Sequence, residues 1–157
     1  MFPLIQNSSQ TAGEAEKREM VTVLSVSPLD EDHSALQSIV DHSEWRLFKA
    51  GHLATARSFL RRRDISVVLC ERELKNGSWI DVLEHANSLS HPPSLIVTSR
   101  LADDRLWAEA LNLGAWDVLA KPFDRTEVIR SVRAGWQHRR DRMQIPARET
   151  RTLRSAV

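Results

Sequence analysis

Four places in this 157-residue chain set a polar or charged side chain directly after an apolar run. Ser27 and Pro28 follow the run Val21–Val26, and Glu71 follows Ile65–Cys70. Thr98 and Ser99 follow Leu95–Val97, and Lys121 follows Trp116–Ala120. The set offers one carboxylate, three hydroxyls and one ammonium. If the runs are parallel strands of one sheet, their carboxyl ends open on a common crevice, where open α/β sheets bind ligands. Other chemistries are not legible. The histidines are scattered, and His85 and His91 lack partners at zinc-ligand spacing. His33 and His42 fall on or beside a polar helix face. No Gly-rich phosphate loop occurs, and no Ser/His/Asp arrangement can be read. Cys70 is the only cysteine. It reads as a core residue, excludes an internal disulfide and fits a reducing compartment.

The elements that would position these residues alternate. Val21–Val26 is β-branched and stops at Pro28, as a strand does. Leu36, Ile39 and Val40 recur at helical spacing behind Asp30 and Asp32, which suit a helix start. Trp45–Ala50 reads as a second strand, and Leu53, Ala56, Phe59 and Leu60 as a helix ending in Arg61-Arg62-Arg63. That triplet complements the helix dipole and reads as a solvated end. Ile65–Cys70 is continuous enough for a strand buried on both faces. Lys75-Asn76-Gly77-Ser78 is turn chemistry, and Ser78 with Asp81 resembles a capping box before a third helix. Leu95–Val97 is a fourth strand. Asp103 and Asp104 open a fourth helix that Gly114 closes. Trp116–Ala120 is a fifth strand, and a fifth helix from Asp124 and Glu127 runs to about Met143. Five strand–helix units in strict alternation imply a parallel sheet covered by helices on both faces.

The flanks differ. Residues 1–19 are polar and aperiodic and read as a flexible lead without a signal peptide's basic start. Residues 144–157 read as a basic flexible tail, leaving 20–143 as the domain. No apolar stretch reaches the length that spans a bilayer, which makes the cytoplasm the default expectation. The formal net charge is +1, so no global field points to nucleic acid or membrane. The arginines of the last helix are interleaved with acids and read as a solvated face, which disfavours nucleic acid.

The segment Leu113-Gly114-Ala115-Trp116-Asp117-Val118-Leu119-Ala120-Lys121-Pro122-Phe123-Asp124 resembles the end of the fourth helix, the fifth strand and the Lys-Pro-Phe turn of response regulator receiver domains. Leu95–Ser99 and Leu74–Ser78 fall at that family's spacing, and the resemblance covers about residues 20–139. It implies a doubly wound, flavodoxin-like (βα)5 fold with strand order 2-1-3-4-5. It also implies an aspartate phosphoacceptor after the third strand, an acidic pair holding Mg²⁺ after the first, and phosphoryl-reading Thr/Ser and Lys after the fourth and fifth. Thr98 and Lys121 match. The acidic pair falls on Ser27 and Pro28, neither of which carries a carboxylate. The acceptor falls on Glu71, and the signalling aromatic on Val118.

Mg²⁺ prefers near-octahedral oxygen ligands, commonly carboxylates with water and phosphate. Ser27 and Pro28 supply none, and Glu71 carries its carboxylate one methylene too far for an acceptor that depends on positioning. The expectation is therefore a non-enzymatic, degenerate receiver without Mg²⁺ or other cofactor, working as a protein-interaction module. A shifted loop returning Asp30, Glu31 or Asp32 to a metal would instead make it an active receiver. The arginine-rich C-terminal end leaves a nucleic-acid accessory role as a third alternative. A Glu71–Lys121 ion pair, with Thr98 nearby, is expected. It would either mimic the activated state or occupy an abandoned pocket.

The expected partner is a signalling kinase, a regulator or a second copy, engaged through the fourth helix, fifth strand and fifth helix. Leu106, Trp107, Leu113 and Trp136 are the candidate contacts, although tryptophans at these spacings also serve as core. The chain would be a stand-alone receiver or part of a longer regulator.

Overall fold

The computed structural model describes residues 20–144; the lead and the basic tail lie outside the described residues, apart from Gln144. The elements are β1 (Thr22–Val26), α1 (Asp30–Val40), β2 (Arg46–Ala50), α2 (Leu53–Arg62), β3 (Val67–Glu71), β4 (Glu73–Leu74), β5 (Gly77–Ser78), α3 (Trp79–Asn87), β6 (Ser94–Ser99), α4 (Asp104–Leu113), β7 (Asp117–Ala120) and α5 (Arg125–Gln144). Strands β2-β1-β3-β6-β7 form one parallel sheet. The order is that of the doubly wound fold expected from the resemblance.

Alternation of side chains along buried strands divides the core in two. Leu24, Val26, Val68, Cys70, Leu95 and Val97 point to one face, where α2, α3 and α4 cover them. Val23, Val67, Leu69 and Ile96 point to the other, under α1 and α5. Both faces being dry, the central strands show no polar alternation, which is why they read as continuous apolar runs.

Local chemistry fixes the connections. Ser78 and Asp81 form the capping box of α3, with the Ser78 N–H donating to Asp81 Oδ2 at 2.9 Å. Gly77 precedes it because a Cβ there would lie 2.6 Å from that same carboxylate oxygen. The Lys75–Ser78 turn closes a two-stranded antiparallel ribbon, β4–β5. Two-residue strands are too short to leave a periodic signal, so the sequence shows only their turn. Asp103 caps α4 by accepting from the Leu106 N–H at 2.9 Å, and Gly114 ends it at φ 102°, a left-handed turn. The Lys121–Pro122 peptide is cis.

Candidate functional site

The register brings the strand ends into line. Glu71 pairs with Thr98, and Ser99 with Ala120. The Lys121 N–H continues the ladder to the Ser99 carbonyl at 3.0 Å, and the Ser27 N–H does the same to Ala50 at 3.0 Å. Ser27, Glu71, Thr98 and Lys121 therefore meet at one end of the sheet. Glu71 and Lys121 border a cleft of about 470 Å³, with Leu29, Arg72 and Arg100 on its rim. Across that rim, an Arg100–Glu31 pair at 3.2 Å is largely in solvent. Exposed pairs of this kind contribute ~1 kcal/mol at most.

Lys121 occupies the centre. Its Nζ lies 2.5 Å from Glu71 Oε2 and 2.7 Å from Asp32 Oδ2, and the three side chains are 6%, 15% and 9% exposed. The Thr98 hydroxyl approaches Glu71 Oε2 at a long 3.5 Å. Burial alone lowers the Lys121 pKa. Hydrogen bonds to Asp32 and Glu71, with their negative charge, outweigh it and leave the ammonium above its ordinary value. The expected Glu71–Lys121 pair is present, but as half of a carboxylate–ammonium–carboxylate triad.

Asp32 is the member that sequence reasoning did not place there. An acid in the first turn of a helix is well accounted for by the helix dipole. However, side chains in a helix lean toward its N-terminus, and the N-terminus of α1 sits over the end of β1. The carboxylate thus reaches back into the crevice. The sequence reading allowed that one of Asp30, Glu31 and Asp32 could return to a metal; Asp32 does return, and its partner is Lys121.

Ser27 acts as a strut. Its hydroxyl donates to Asp32 Oδ2 at 2.6 Å and accepts from the Leu29 N–H at 3.1 Å. His33 braces it from behind, with Nε2 2.9 Å from the Ser27 carbonyl and Nδ1 2.8 Å from Ser25 Oγ. A carbonyl only accepts, so Nε2 carries the proton and, in the neutral ring, Nδ1 accepts from the serine hydroxyl. His33 is buried, not on a polar helix face. The signal for it was its spacing, three residues before Leu36 and seven before Val40, which puts it on the buried stripe of α1. Pro28 contributes no polar group.

These residues do not fit an octahedral cation. The carboxylates of Asp32 and Glu71 are both engaged by Lys121, the Ser27 hydroxyl points its proton at Asp32, and no group of three His, Cys, Asp or Glu able to hold a metal ion occurs among the described residues. A cation would have to displace a buried ammonium.

Other candidates divide. Val118 is buried among the α2–α4 core side chains, and so is Cys70, whose thiol pKa is pushed up, first by burial and then by the neighbouring Glu71 charge. Leu106 is fully buried, which corrects its assignment to a partner surface. Leu106 and Ala110 are the stripe of α4 that meets the sheet. Trp107, Leu111 and Leu113 are the exposed large apolar residues of that helix, with Leu101 just before it. Trp136 lies on the opposite layer, packed against the other core cluster with Trp116. It lines a cavity on that layer with Val21, His42 and Trp45. Arg139 on α5 is also not a solvated helix-face residue. It is buried, donating to Asp64 at 2.6 Å and to the His91 carbonyl at 3.0 Å.

Comparison with known proteins bears on this geometry. The family model for the response regulator receiver domain matches residues 30–133. The transcriptional regulatory protein DpiA of Escherichia coli K12 is 29% identical over 97 residues, which is 61% of this chain and 42% of that protein. The chain thus spans less than half the length of the curated relatives it matches. Among solved structures, the signal receiver domain of an HD domain-containing protein from Pseudomonas fluorescens Pf-5 superposes with a TM-score of 0.71 at 21% identity, covering 78% of this chain and 99% of that one. The receiver domain of the sensor histidine kinase PA1611 from Pseudomonas aeruginosa PAO1, solved with magnesium coordinated in its active-site cleft, gives 0.64 at 18% identity over 75% and 98%.

Proposed function

The chain belongs to the response regulator receiver domain family, and from that premise we propose that it is a receiver that signals without accepting a phosphoryl group. The observation that carries this reading is Lys121 bridging Asp32 and Glu71 at 2.7 and 2.5 Å. Phosphoryl transfer relies on a positioned acceptor and on cations that neutralise developing charge. Here the acceptor position holds a glutamate that is already neutralised, and the cation position is filled from within. The domain is neither an enzyme nor a Mg²⁺ protein, and it works in the cytoplasm by binding another protein. Glu71 holds Lys121 as a phosphorylated side chain would.

The partner docks on α4. Leu101, Trp107, Leu111 and Leu113 are between 37% and 63% exposed; Trp107 and Leu111, four residues apart, share one face of the helix, and tryptophan is enriched at binding hot spots. A kinase, a regulator or a second copy of this chain fits that surface. Asp32 favours a second reading, in which it replaces the missing acidic pair and Glu71 is phosphorylated.

Incubation with acetyl phosphate and Mg²⁺, followed by intact-mass measurement, separates the two. The expected result is an unchanged mass. A phosphate adduct lost in Glu71→Gln refutes the proposal and establishes the second reading. In parallel, Glu71→Gln should weaken partner or self-association while the fold persists. Unchanged association would leave the triad without a signalling role.

A further inference from the structure

The chain is nearly neutral overall, yet its charges are segregated. Six of its cationic residues, and none of its acids, fall between Trp45 and Arg63. The fold collects five of the six on one side of the sheet edge. Arg46 is on the edge strand β2 and shares a strand face with Phe48 and Ala50, whose side chains pack toward α2. The guanidinium of Arg63 lies over the Phe48 ring at 5.2 Å. Arg57 and Arg61 are one turn apart on α2, and Arg62 follows. All five are exposed.

None of the five has a salt-bridge partner among the described residues. The acid that follows the triplet, Asp64, holds the buried Arg139 instead. The uncompensated field is felt by a neighbour: on α3, His85 has its pKa lowered first by burial and then by the charges of Arg57 and Arg61. The face also lacks an apolar anchor. The large apolar residues that are exposed among those described are Met20, Leu29, Leu101, Trp107, Leu111, Leu113 and Met143, and none belongs to β2, α2 or α3. A protein interface is built round a desolvated apolar centre. A face of arginines without one suits a ligand that is bound through repeated phosphates.

We propose that the β2–α2 edge of this domain, through Arg46, Arg57, Arg61, Arg62 and Arg63, binds the phosphate backbone of double-stranded nucleic acid without reading its sequence. The site lies away from the cleft, and its occupancy does not depend on whether the cleft accepts phosphate.

The test is fluorescence anisotropy of a labelled DNA duplex of mixed sequence with the full chain. With about four phosphates contacted, raising salt from 50 to 200 mM should weaken binding roughly a hundredfold. Arg57→Gln/Arg61→Gln should weaken binding at low salt by at least about tenfold and flatten the salt slope by about two contacts. Both side chains are exposed, so the far-UV circular dichroism should not change. Arg130→Gln/Arg133→Gln on α5 should bind like wild type. Three outcomes overturn the proposal: no salt-dependent binding, loss in the α5 variant but not in the α2 variant, or equal capture of polyglutamate or anionic vesicles.

Discussion

Replacing Lys121 with methionine keeps most of the side chain's volume and removes its charge. Asp32 and Glu71 would then face each other across the cleft, 9% and 15% exposed, with no counter-ion. Removing one partner of a buried ion pair costs about 3–5 kcal/mol, because the remaining charge stays desolvated. Over residues 20–144, an unfolding entropy of ~2.1 cal/mol/K per residue makes ~0.26 kcal/mol equal to one degree. Lys121→Met should therefore melt ~10–20 °C below wild type near neutral pH, by differential scanning calorimetry. A triple variant with Asp32→Asn and Glu71→Gln should recover much of that loss, since replacing a whole buried ion group with neutral residues is far less costly than breaking it. A Lys121→Met melting point within ~3 °C of wild type, under about 1 kcal/mol on the same scale, would refute the reasoning. It would mean that water screens the triad and that Lys121 does not organise the cleft.

Three further outcomes follow from the same geometry. Because Lys121 titrates above its ordinary value of 10.5, its stabilisation is fully present below that value and is lost as pH rises through the folded-state pKa. Urea midpoints measured on the alkaline side should fall more steeply for wild type than for Lys121→Met. In Lys121→Ala the freed carboxylates should bind a divalent cation: Mg²⁺ tenfold above its Kd would add ~1.4 kcal/mol, seen as a rise in melting temperature that wild type lacks. Gly135→Ala on α5 should destabilise by ~1 kcal/mol despite alanine's better helix propensity, because overpacking a tight site costs ~1–3 kcal/mol. The added Cβ would lie 3.0 Å from Trp116 Cδ1 and 3.2 Å from Ser94 Cβ, and a denaturant titration measures the difference.

By itself, the sequence determined the architecture. Dry central strands leave continuous apolar runs, helices leave a 3.6-residue stripe, and the caps at Ser78/Asp81 and Gly114 mark their ends by local chemistry alone. It also determined which side chains end the strands, since register places Glu71, Thr98 and Lys121 together once the order of strands is known. Tertiary structure decided the rest. Whether a first-turn acid such as Asp32 faces solvent or a crevice depends on how α1 is set against β1, which no local pattern encodes. His33, Leu106 and Arg139 are similar cases: periodicity names a face of a helix, and only packing says what that face meets. The five arginines of the β2–α2 edge were visible as residues, but a near-zero net charge hid them. Charge sums over the whole chain, whereas a field arises from where the fold puts each ion.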